Sequence, residues 1–435
     1  MRKSASQGNS RGQFMKFLIV IPALNEEKSI QSTIERCLSA KEMIMHHSPV
    51  THVDITVVSD GSTDRTVELA SQFTDRIKLI VFKRNRGYGA AIKEAWAQSD
   101  ADLLGFLDAD GTCDPRFFSQ LCSTVIQTNA DVAVGCRMND DSKMPWLRRI
   151  GNTVFATMLS LLSASSVRDT ASGMRVVRRE SLCKLLPLPD GMHFTPAISA
   201  RAMLSKGVKI VEIDMPYHER EGQSKLKVVK DGVRFLKTIL ETSFVYRPAR
   251  PLAILSLFSL TIACALMVTP ILYYLKHHAL QEWMIYRFVV SHLVGTVALL
   301  LLSASYLTAR VVEIALPVSG RAGSQIQRIT QVINSRGFWL APFGLMMVGG
   351  LLVLHSFLDL VQTGHTSEHW SRFIAMSFFW STAFILIGTR LVAYVFTLLE
   401  TQVTYLRNNA RSAMTPSARE YDESFHYGLQ RIDRF

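Results

Sequence analysis

Four long apolar runs in the C-terminal part of the chain constrain its architecture more than any other feature. The first reads PLAILSLFSLTIACALMVTPILYYL, from Pro251 onward. Each run is long enough to cross a bilayer as a helix, which takes about 20 residues. A buried helical core is the alternative, and four such runs in series argue against it. We therefore predict an all-α membrane domain at 248–400 with four transmembrane helices, near 251–275, 286–309, 338–362 and 373–399.

The distribution of positive charge predicts which side of the membrane the other segments face. Arg247 and Arg250 precede the first run, four arginines lie between the second and third, and five follow the fourth. The short loops on the opposite side, KHHALQEW and QTGHTSEHW, carry little positive charge besides Lys276. Cytoplasmic loops are enriched in Lys and Arg. We therefore expect a multi-pass protein of the bacterial inner membrane, with its N-terminal head and its tail at 401–435 in the cytoplasm.

The net charge of +12 does not indicate nucleic-acid binding. The arginines cluster beside the apolar runs instead of forming one patch with interleaved aromatic residues. The 6 cysteines show no paired spacing and have no histidines at metal-ligand intervals. This pattern is typical of reduced cytosolic cysteines.

The head, at 15–225, follows a polar N-terminus at 1–14 that we expect to be disordered. KFLIVIP, DITVVSD, KLIVF and LLGFL are typical of strands, and amphipathic segments between them are typical of helices. Strands that are apolar throughout indicate an α/β fold with a mainly parallel sheet covered on both faces. Ligands bind beyond the carboxyl ends of such strands. Polar clusters follow three of them, PALNEE, SDGSTD and DADGTCD, so we expect these clusters to form one active-site edge.

Asp108 and Asp110 follow the strand LLGFL with only an alanine between them. Residues two apart in extended backbone project to the same side, so both carboxylates can face the ligand crevice. A hard cation such as Mg²⁺ would relieve their repulsion, since it favours one or two carboxylates plus phosphate oxygens. It would also neutralise a leaving diphosphate. The alternative is a turn at Asp110 and Gly111, with Asp108 as a helix cap.

Six segments of the head resemble, in order, the sequence blocks of family-2 glycosyltransferases of GT-A fold: VIPALNEE, VVSDGSTD, RNRGYGAAI, DADGTCDP, DTASGMRVVRRE and EREGQSKL. Over residues 16–245 the chain looks most like the dolichyl-phosphate mannose synthase and polyprenyl-phosphate glycosyltransferase group. The resemblance implies inverting transfer of a hexose from a nucleotide sugar, UDP- or GDP-linked, with Mg²⁺ or Mn²⁺. The implied acceptor is a polyprenyl phosphate, such as undecaprenyl or dolichyl phosphate.

The resemblance also implies roles for individual residues. Donor-nucleotide positions are matched by Pro22, Leu24, Glu26, Asp60 and Asp108. Metal positions are matched by Asp108, Asp110 and Thr112, the last standing where many relatives carry glutamine. Catalytic positions are matched by Asp169 and Asp110, and positions that handle the acceptor phosphate by Arg175, Arg220, Ser224 and Lys225. Plainer roles are expected for Asp64, as a helix cap, and for Asn25, in shaping its loop.

Two more head segments are helical with large apolar faces edged by Arg or Lys, WLRRIGNTVFATMLSLL and LKVVKDGVRFLKTILETSF. Such helices lie in the headgroup region of a membrane, or pack on the sheet or on the transmembrane helices, and the second would form a linker at 226–247. Homo-oligomer contacts through the membrane domain are a further expectation.

Three other functions are open alternatives at this stage. A processive polysaccharide synthase would carry a Q-x-x-R-W segment after the acceptor region, and no tryptophan here has that context. A transferase acting on a diacylglycerol or sphingolipid hydroxyl would need a base, which Asp169 could supply. The last alternative is a non-catalytic membrane scaffold.

Overall fold

The chain divides into two units, Met1–Ser243 and Phe244–Phe435. The computed structural model describes residues 14–163, 165–205, 207–219, 228–315, 323–365 and 369–413. Apart from Phe14, the segment predicted to be disordered lies outside these residues. So do three of the four residues predicted to handle the acceptor phosphate, namely Arg220, Ser224 and Lys225.

A seven-stranded sheet forms the centre of the N-terminal unit, in the order β3-β2-β1-β4-β6-β5-β7. Its strands are β1 (Lys16–Ala23), β2 (His52–Ser59), β3 (Lys78–Val81), β4 (Leu103–Phe106), β5 (Val132–Cys136), β6 (Arg175–Arg178) and β7 (Ile210–Asp214). All neighbours pair in parallel except β6, which is antiparallel to β4 and to β5. The predicted α/β fold with a mainly parallel sheet is therefore confirmed.

Helices cover both faces of the sheet. The helices of residues 30–246 are α1 (Ile30–His47), α2 (Thr66–Ser71), α3 (Tyr88–Ala97), α4 (Phe118–Gln127), α5 (Trp146–Leu162), α6 (Leu182–Leu185), α7 (Phe194–Leu204) and α8 (Val228–Tyr246). Phe17, Ile19 and Ile21 of β1 pack in a buried cluster with residues of α1 and α4. Leu18 and Val20 point to the other face and pack with residues of α3 and α7. This alternation along one buried strand explains why its sequence is apolar throughout.

Strand register brings the polar clusters to one edge. Val20 of β1 pairs with Phe106 of β4, and Ala23 pairs with Ser59 of β2. The loops that leave β1, β2 and β4 therefore start side by side. Because β6 runs the opposite way, its first residue, Arg175, lies opposite Phe106 at the same edge.

The C-terminal unit is helical, with α9 (Ala249–His277), α10 (Ile285–Ala315), α11 (Gly323–Asn334), α12 (Leu340–Thr363) and α13 (Trp370–Ala413). Four of these, all but α11, are long and apolar enough to cross a membrane. Helix α10 packs against α9 and α13, and α12 packs against α13. The sequence analysis did not foresee α11, which is a short helix between the second and third spans.

Two arginines of the C-terminal unit have partners within that unit. Arg310 is buried and forms ion pairs of 2.6 Å with Glu313 and with Glu400 of α13. Arg390 donates to the carbonyl of Asn334 at the end of α11, and its guanidinium lies 5.4 Å from the ring centroid of Trp339. A cation is favourable at a helix C-terminus. Both arginines therefore tie helices together.

Candidate active site

A cavity of about 520 Å³ opens at the edge of the sheet where the polar loops meet. Its lining includes six of the residues predicted from the sequence, Pro22, Leu24, Glu26, Asp60, Asp108 and Asp110. The structure thus brings together the residues assigned to the donor nucleotide and the acidic pair. Strand order alone accounts for this convergence, because the three loops follow neighbouring parallel strands.

Hydrogen bonds join the loop after β1 to the loop after β2. Asn25 has a left-handed backbone, with φ of +50°, and its Oδ1 accepts the Thr63 N–H at 2.8 Å. Asp64 accepts the N–H of Thr66 at the start of α2 and the N–H of Glu27 from the other loop. Both residues therefore shape the wall of the cavity through backbone contacts.

Asp60 accepts hydrogen bonds from the loop between β3 and α3 with both carboxylate oxygens. Oδ1 accepts the Arg86 N–H at 2.6 Å, and Oδ2 accepts the Gly87 N–H at 2.9 Å. Burial raises the pKa of Asp60 above its ordinary value, although these two bonds favour the charged form. Gly87 has a φ of +110°, and a Cβ there would lie 2.3 Å from the Asp190 carbonyl oxygen. Only glycine fits this close approach.

Neighbouring hydroxyl groups orient the acidic pair. The Tyr88 hydroxyl donates to Asp108 Oδ1 at 2.6 Å. Asp110 Oδ1 accepts both the N–H and the hydroxyl of Thr112, at 3.2 and 2.6 Å. Thr112 is fully buried and lies outside the cavity lining. Its hydroxyl therefore positions Asp110, and the assignment of Thr112 as a metal ligand stays a prediction.

The acidic pair fits a divalent cation that is shared with a ligand. Among the residues that the structure describes, no group of three or more His, Cys, Asp or Glu side chains could enclose a metal ion. Within this part of the chain, a cation would be held by a smaller set of side chains and by its ligand. Mg²⁺ commonly takes one or two carboxylates and completes its shell with phosphate oxygens and water. Asp108 and Asp110 on the wall of a cavity match that donor set.

Asp169 is buried in an ion pair and lies outside the cavity lining. It is 0% exposed and accepts from Arg137 Nε at 2.7 Å, Arg137 Nη2 at 2.9 Å and Asn152 Nδ2 at 3.0 Å. Burial favours the neutral acid, but the Arg137 charge and hydrogen bonds hold the pKa of Asp169 below its ordinary value. The catalytic role of Asp169 stays a prediction, and in this structure its carboxylate is paired with Arg137 inside the protein.

Arg175 is also enclosed by the protein. It is 0% exposed and donates to the carbonyls of Thr170 and Ser172 and to the Ser199 hydroxyl. Burial lowers its pKa to about 10. Arg175 therefore supports the loop that follows Asp169, and its assignment to the acceptor phosphate stays a prediction.

Three cavity arginines were missed by the sequence analysis. Arg137 directly follows β5, Arg148 lies on α5 and Arg234 lies on α8, and all three line the cavity. The guanidinium of Arg137 also lies 5.2 Å from the ring centroid of Tyr217, another lining residue. One signal could have indicated Arg137, since it is a polar residue at the end of a buried strand, like those that follow β1, β2 and β4.

Gly173 leaves the space that the Asp108 carboxylate occupies. A Cβ at Gly173 would lie 1.9 Å from Asp108 Oδ2, so Asp108 would have to move in Gly173→Ala. We expect about a hundredfold loss of activity at this site, the size associated with a shift of about 1 Å in a reacting group. Turnover of the single and double variants checks this. In an Asp108→Ala background, Gly173→Ala should add almost no further loss, because the two changes act on one contact.

The fold and the cavity define an α/β domain with an acidic pair and several arginines at the carboxyl edge of its sheet. Residues 18–186 match the family described as glycosyl transferase family 2. The chain therefore contains a glycosyltransferase family-2 domain, on a GT-A sheet, followed by four helices that could span a membrane.

Three curated proteins illustrate the similarity. Low-salt glycan biosynthesis hexosyltransferase Agl6 of Haloferax volcanii is 30% identical over 252 residues, covering 56% of this chain and 59% of that protein. Dolichyl-phosphate hexose transferase of the same organism is 29% identical, covering 52% and 94%. Undecaprenyl-phosphate 4-deoxy-4-formamido-L-arabinose transferase of Photorhabdus laumondii is 29% identical, covering 50% and 65%. The predicted resemblance to the polyprenyl-phosphate glycosyltransferase group is thereby confirmed.

The chain spans about three fifths of the length of the first of these relatives. Among solved structures, glucosyl-3-phosphoglycerate synthase of Mycobacterium tuberculosis with Mn²⁺, UDP-glucose and phosphoglyceric acid is similar at 18% identity. That likeness has a TM-score of 0.43 and covers 53% of this chain and 80% of that chain.

Proposed function

We propose that the protein is a membrane-bound inverting glycosyltransferase that moves a hexose from a nucleotide sugar to a polyprenyl phosphate. One observation carries the proposal: a single cavity presents an acidic pair, Asp108 and Asp110, together with arginines from three other segments of the unit. Carboxylates suit a cation on a diphosphate, and arginines suit a second phosphate. The names of the polyprenyl-phosphate relatives support the same acceptor class.

The donor would occupy the side of the cavity formed by the loops after β1 and β2. Pro22, Leu24 and Glu26 line this side near the end of β1, and Asp60 lines it in the loop after β2. Asp108 and Asp110 would hold Mg²⁺ or Mn²⁺ with the diphosphate. When bound, the ion neutralises the charge that develops on the leaving diphosphate. We lean to a UDP-hexose over a GDP-hexose.

The acceptor would be held by the cavity arginines. An oxygen of a lipid phosphate is already ionised near neutral pH, so it needs positioning more than it needs a strong base. That oxygen attacks the anomeric carbon while the bond from this carbon to the diphosphate oxygen breaks, which inverts the configuration. Arg148 would hold the other phosphate oxygens, for which the planar guanidinium is well suited. Arg137 would contribute its charge and Nη1, since its Nε and Nη2 donate to Asp169.

A hydroxyl acceptor, as in diacylglycerol or a sphingolipid, would need a general base at the cavity. Asp169 is unsuited to that role because it is buried and paired with Arg137. Among the described residues that line the cavity, the carboxylates are Glu26, Asp60, Asp108 and Asp110. Glu26 is assigned to the donor side, Asp60 holds a loop and the acidic pair is assigned to the cation. This division of roles favours an acceptor that is already charged.

Membrane attachment would bring the long lipid to this cavity. Helix α5 lines the cavity and exposes Trp146, Ile150 and Val154, and α8 exposes Val233. We propose that these apolar side chains face the lipid surface on the cytoplasmic side, in agreement with the arginine distribution around the spans. The name of the Photorhabdus relative supports undecaprenyl phosphate as the acceptor, and location in the bacterial inner membrane is part of the proposal. Homo-oligomer formation is part of the same proposal.

Turnover by the full-length protein in detergent tests the proposal. UDP-glucose and GDP-mannose would be offered with Mg²⁺ or Mn²⁺ and, separately, undecaprenyl phosphate, dolichyl phosphate, diacylglycerol or ceramide. We expect a metal-dependent product only with the lipid phosphates. A product only on a neutral lipid would overturn the acceptor assignment. Nucleotide binding without transfer to any of the four lipids would instead support the scaffold alternative.

In the same assay, Arg148→Gln should raise the KM for the lipid phosphate. Arg148 lines the cavity, and loss of one hydrogen bond to a charged group corresponds to about a tenfold change or more. Arg149→Gln is the matched control, since Arg149 is the next residue of α5 and lies outside the cavity lining. Its KM should change by less than about twofold, as is usual for surface substitutions. Equal effects of both variants would argue against an acceptor role for Arg148.

A further inference from the structure

One face of α1 holds the backbone of the loop that carries the acidic pair. Ser29, Thr33 and Arg36 are spaced four and three residues apart, which places them on the same side of the helix. That side faces the segment from Asp108 to Asp114. Neither the sequence motifs nor the cavity lining indicates these three residues.

Each of the three side chains donates to a backbone carbonyl of the acidic loop. The Ser29 hydroxyl donates to the Ala109 carbonyl oxygen at 2.7 Å, and the Thr33 hydroxyl approaches the same oxygen at 3.3 Å. Arg36 Nη1 donates to the Gly111 carbonyl at 3.0 Å, and Nη2 donates to the Cys113 carbonyl at 2.9 Å. The carbonyls of Ala109, Gly111 and Cys113 are thus all held from one helix.

The contact made by Ser29 differs from the usual role of a serine at the start of a helix. Ser29 occupies the N-cap position of α1, where serine normally accepts a hydrogen bond from the helix backbone. Here its side chain makes no capping bond and is 0% exposed. Arg36 donates two hydrogen bonds to neutral carbonyl groups. Hydrogen bonds from a charged donor are stronger than those between two neutral groups.

Along the loop, the residues whose carbonyl groups accept these hydrogen bonds alternate with the acidic pair and Thr112. Ala109, Gly111 and Cys113 are interleaved with Asp108, Asp110 and Thr112 along the loop. Gly111 has a φ of +74°, so the chain turns sharply at this point. Fixing the peptide groups on either side of Asp108 and Asp110 fixes the directions in which the two carboxylates leave the backbone.

We propose that Ser29, Thr33 and Arg36 form a carbonyl clamp that preorganises Asp108 and Asp110 for a divalent cation bound to a nucleoside diphosphate. The inference rests on the proposed function, because it assumes that the acidic pair holds this cation. The clamp residues are positioning residues, since they act through the loop backbone. Removing a group that orients a metal ligand commonly costs about 10–100-fold in metal affinity.

Mn²⁺ binding in the presence of UDP, followed by electron paramagnetic resonance on the full-length protein, tests the clamp. We expect Arg36→Met to raise the Mn²⁺ dissociation constant by about tenfold. Thr33→Val, which keeps the shape but removes one hydroxyl, should raise it by about threefold. Turnover at saturating Mn²⁺ should stay within about threefold of wild type, because excess cation offsets weaker binding.

Hydrogen–deuterium exchange gives a second readout that needs neither metal nor turnover. Amides in residues 107–114 should exchange faster in Arg36→Met, since two bonds that hold this loop are gone. Arg65→Met is the matched control, because the Arg65 side chain pairs with exposed Glu68 of its own helix. Ser39→Ala is the control for Thr33→Val, since the Ser39 hydroxyl bonds within α1. Both controls should leave Mn²⁺ affinity and exchange of 107–114 unchanged.

The outcomes separate the clamp from the proposed function. If Asp108→Asn abolishes Mn²⁺ binding while Arg36→Met changes neither Mn²⁺ affinity nor loop exchange, the clamp is refuted and the metal assignment stands. If Asp108→Asn leaves Mn²⁺ binding intact, the metal assignment fails, and with it the role of the clamp. If Arg36→Met instead lowers kcat at saturating Mn²⁺ as much as it weakens binding, the clamp is refuted as a device specific to the metal.

Discussion

Asp169→Asn is expected to lower the free energy of unfolding of the N-terminal unit by about 3–5 kcal/mol, the cost of leaving a buried charge without its partner. The Arg137 and Asp169 side chains are 10% and 0% exposed, so water cannot replace the lost partner. Asp169 also accepts from Asn152 of α5 and from the Ala171 N–H. A loss of this size is a large fraction of the stability of a typical domain, about 5–15 kcal/mol.

Hydrogen exchange of β5 amides in the full-length protein measures this effect, because the strand ends one residue before Arg137. Arg168→Gln is the control, since Arg168 forms its ion pairs with Glu212 and Asp214 at a more exposed position. Pairs of that kind contribute about 0–1 kcal/mol. The double variant Arg137→Leu/Asp169→Leu should lose less than the two single changes together, because it leaves no unpaired buried charge.

The pH dependence of the Asp169→Asn effect has a definite sign. The folded-state pKa of Asp169 is depressed, so its contribution to stability is present above the unfolded-state pKa, about 3.9, and is lost as pH falls through the folded-state value. The stability difference between wild type and Asp169→Asn should therefore be constant near neutral pH and shrink in acid.

The same variant distinguishes positioning from general-base catalysis. A positioning role predicts lost stability together with lost activity through a displaced Arg137. A general base would instead show unchanged hydrogen exchange, a much lower kcat and loss of the acid limb of the pH–rate profile. That second pattern would support the catalytic assignment of Asp169 and would favour a hydroxyl acceptor.

The sheet edge was predictable because it depends on patterns that are local in sequence. Apolar strands that alternate with helices specify a parallel sheet, and the residues after β1, β2 and β4 must then converge. This reasoning placed the clusters PALNEE, SDGSTD and DADGTCD at one edge, and the family resemblance then singled out Pro22, Leu24, Asp60 and Asp108 within them. Their convergence needs no knowledge of side-chain direction.

The buried positions of Asp169 and Arg175 depend on partners far away in the sequence, so sequence patterns alone did not predict them. Asp169 turns inward because Arg137, 32 residues earlier, enters the same buried space. Arg175 begins β6, and the reversed direction of that strand places it among the buried carbonyls of Thr170 and Ser172. A motif records which residues are present, but it does not record which of them face a cavity.

The missed cavity arginines had a related cause. Arg148 lies at the edge of a helix whose apolar face predicts membrane contact. The sequence pattern does not show that the polar side of this helix lines a cavity. Arg234 lies on α8 and reaches the cavity only because α8 packs on α5, where the rings of Phe155 and Phe235 are 6.0 Å apart. Helix packing of this kind has no signature in a single sequence.

Asp108→Asn and Asp110→Asn are each expected to lower turnover by about a thousandfold, equivalent to about 4 kcal/mol of transition-state stabilisation. Both carboxylates line the cavity, and an amide is a much weaker ligand for Mg²⁺ than a carboxylate. The charge that develops on the leaving diphosphate would then lose most of its stabilisation. Tyr88→Phe, which removes only the bond to Asp108 Oδ1, should cost about tenfold, in line with one lost hydrogen bond to a charged group.

Measurement of kcat and KM over a range of Mn²⁺ concentrations separates binding of the cation from chemistry. Asp100→Asn is the control, because Asp100 is exposed and pairs with Lys16 at the opposite end of β1. It should leave both constants within about twofold, as surface substitutions usually do. If only Asp108→Asn loses turnover, Asp108 alone binds the cation and Asp110 shapes the loop. Full activity in both variants would show that the leaving diphosphate is stabilised by the arginines of the cavity, and the acidic pair would then have no part in the transfer.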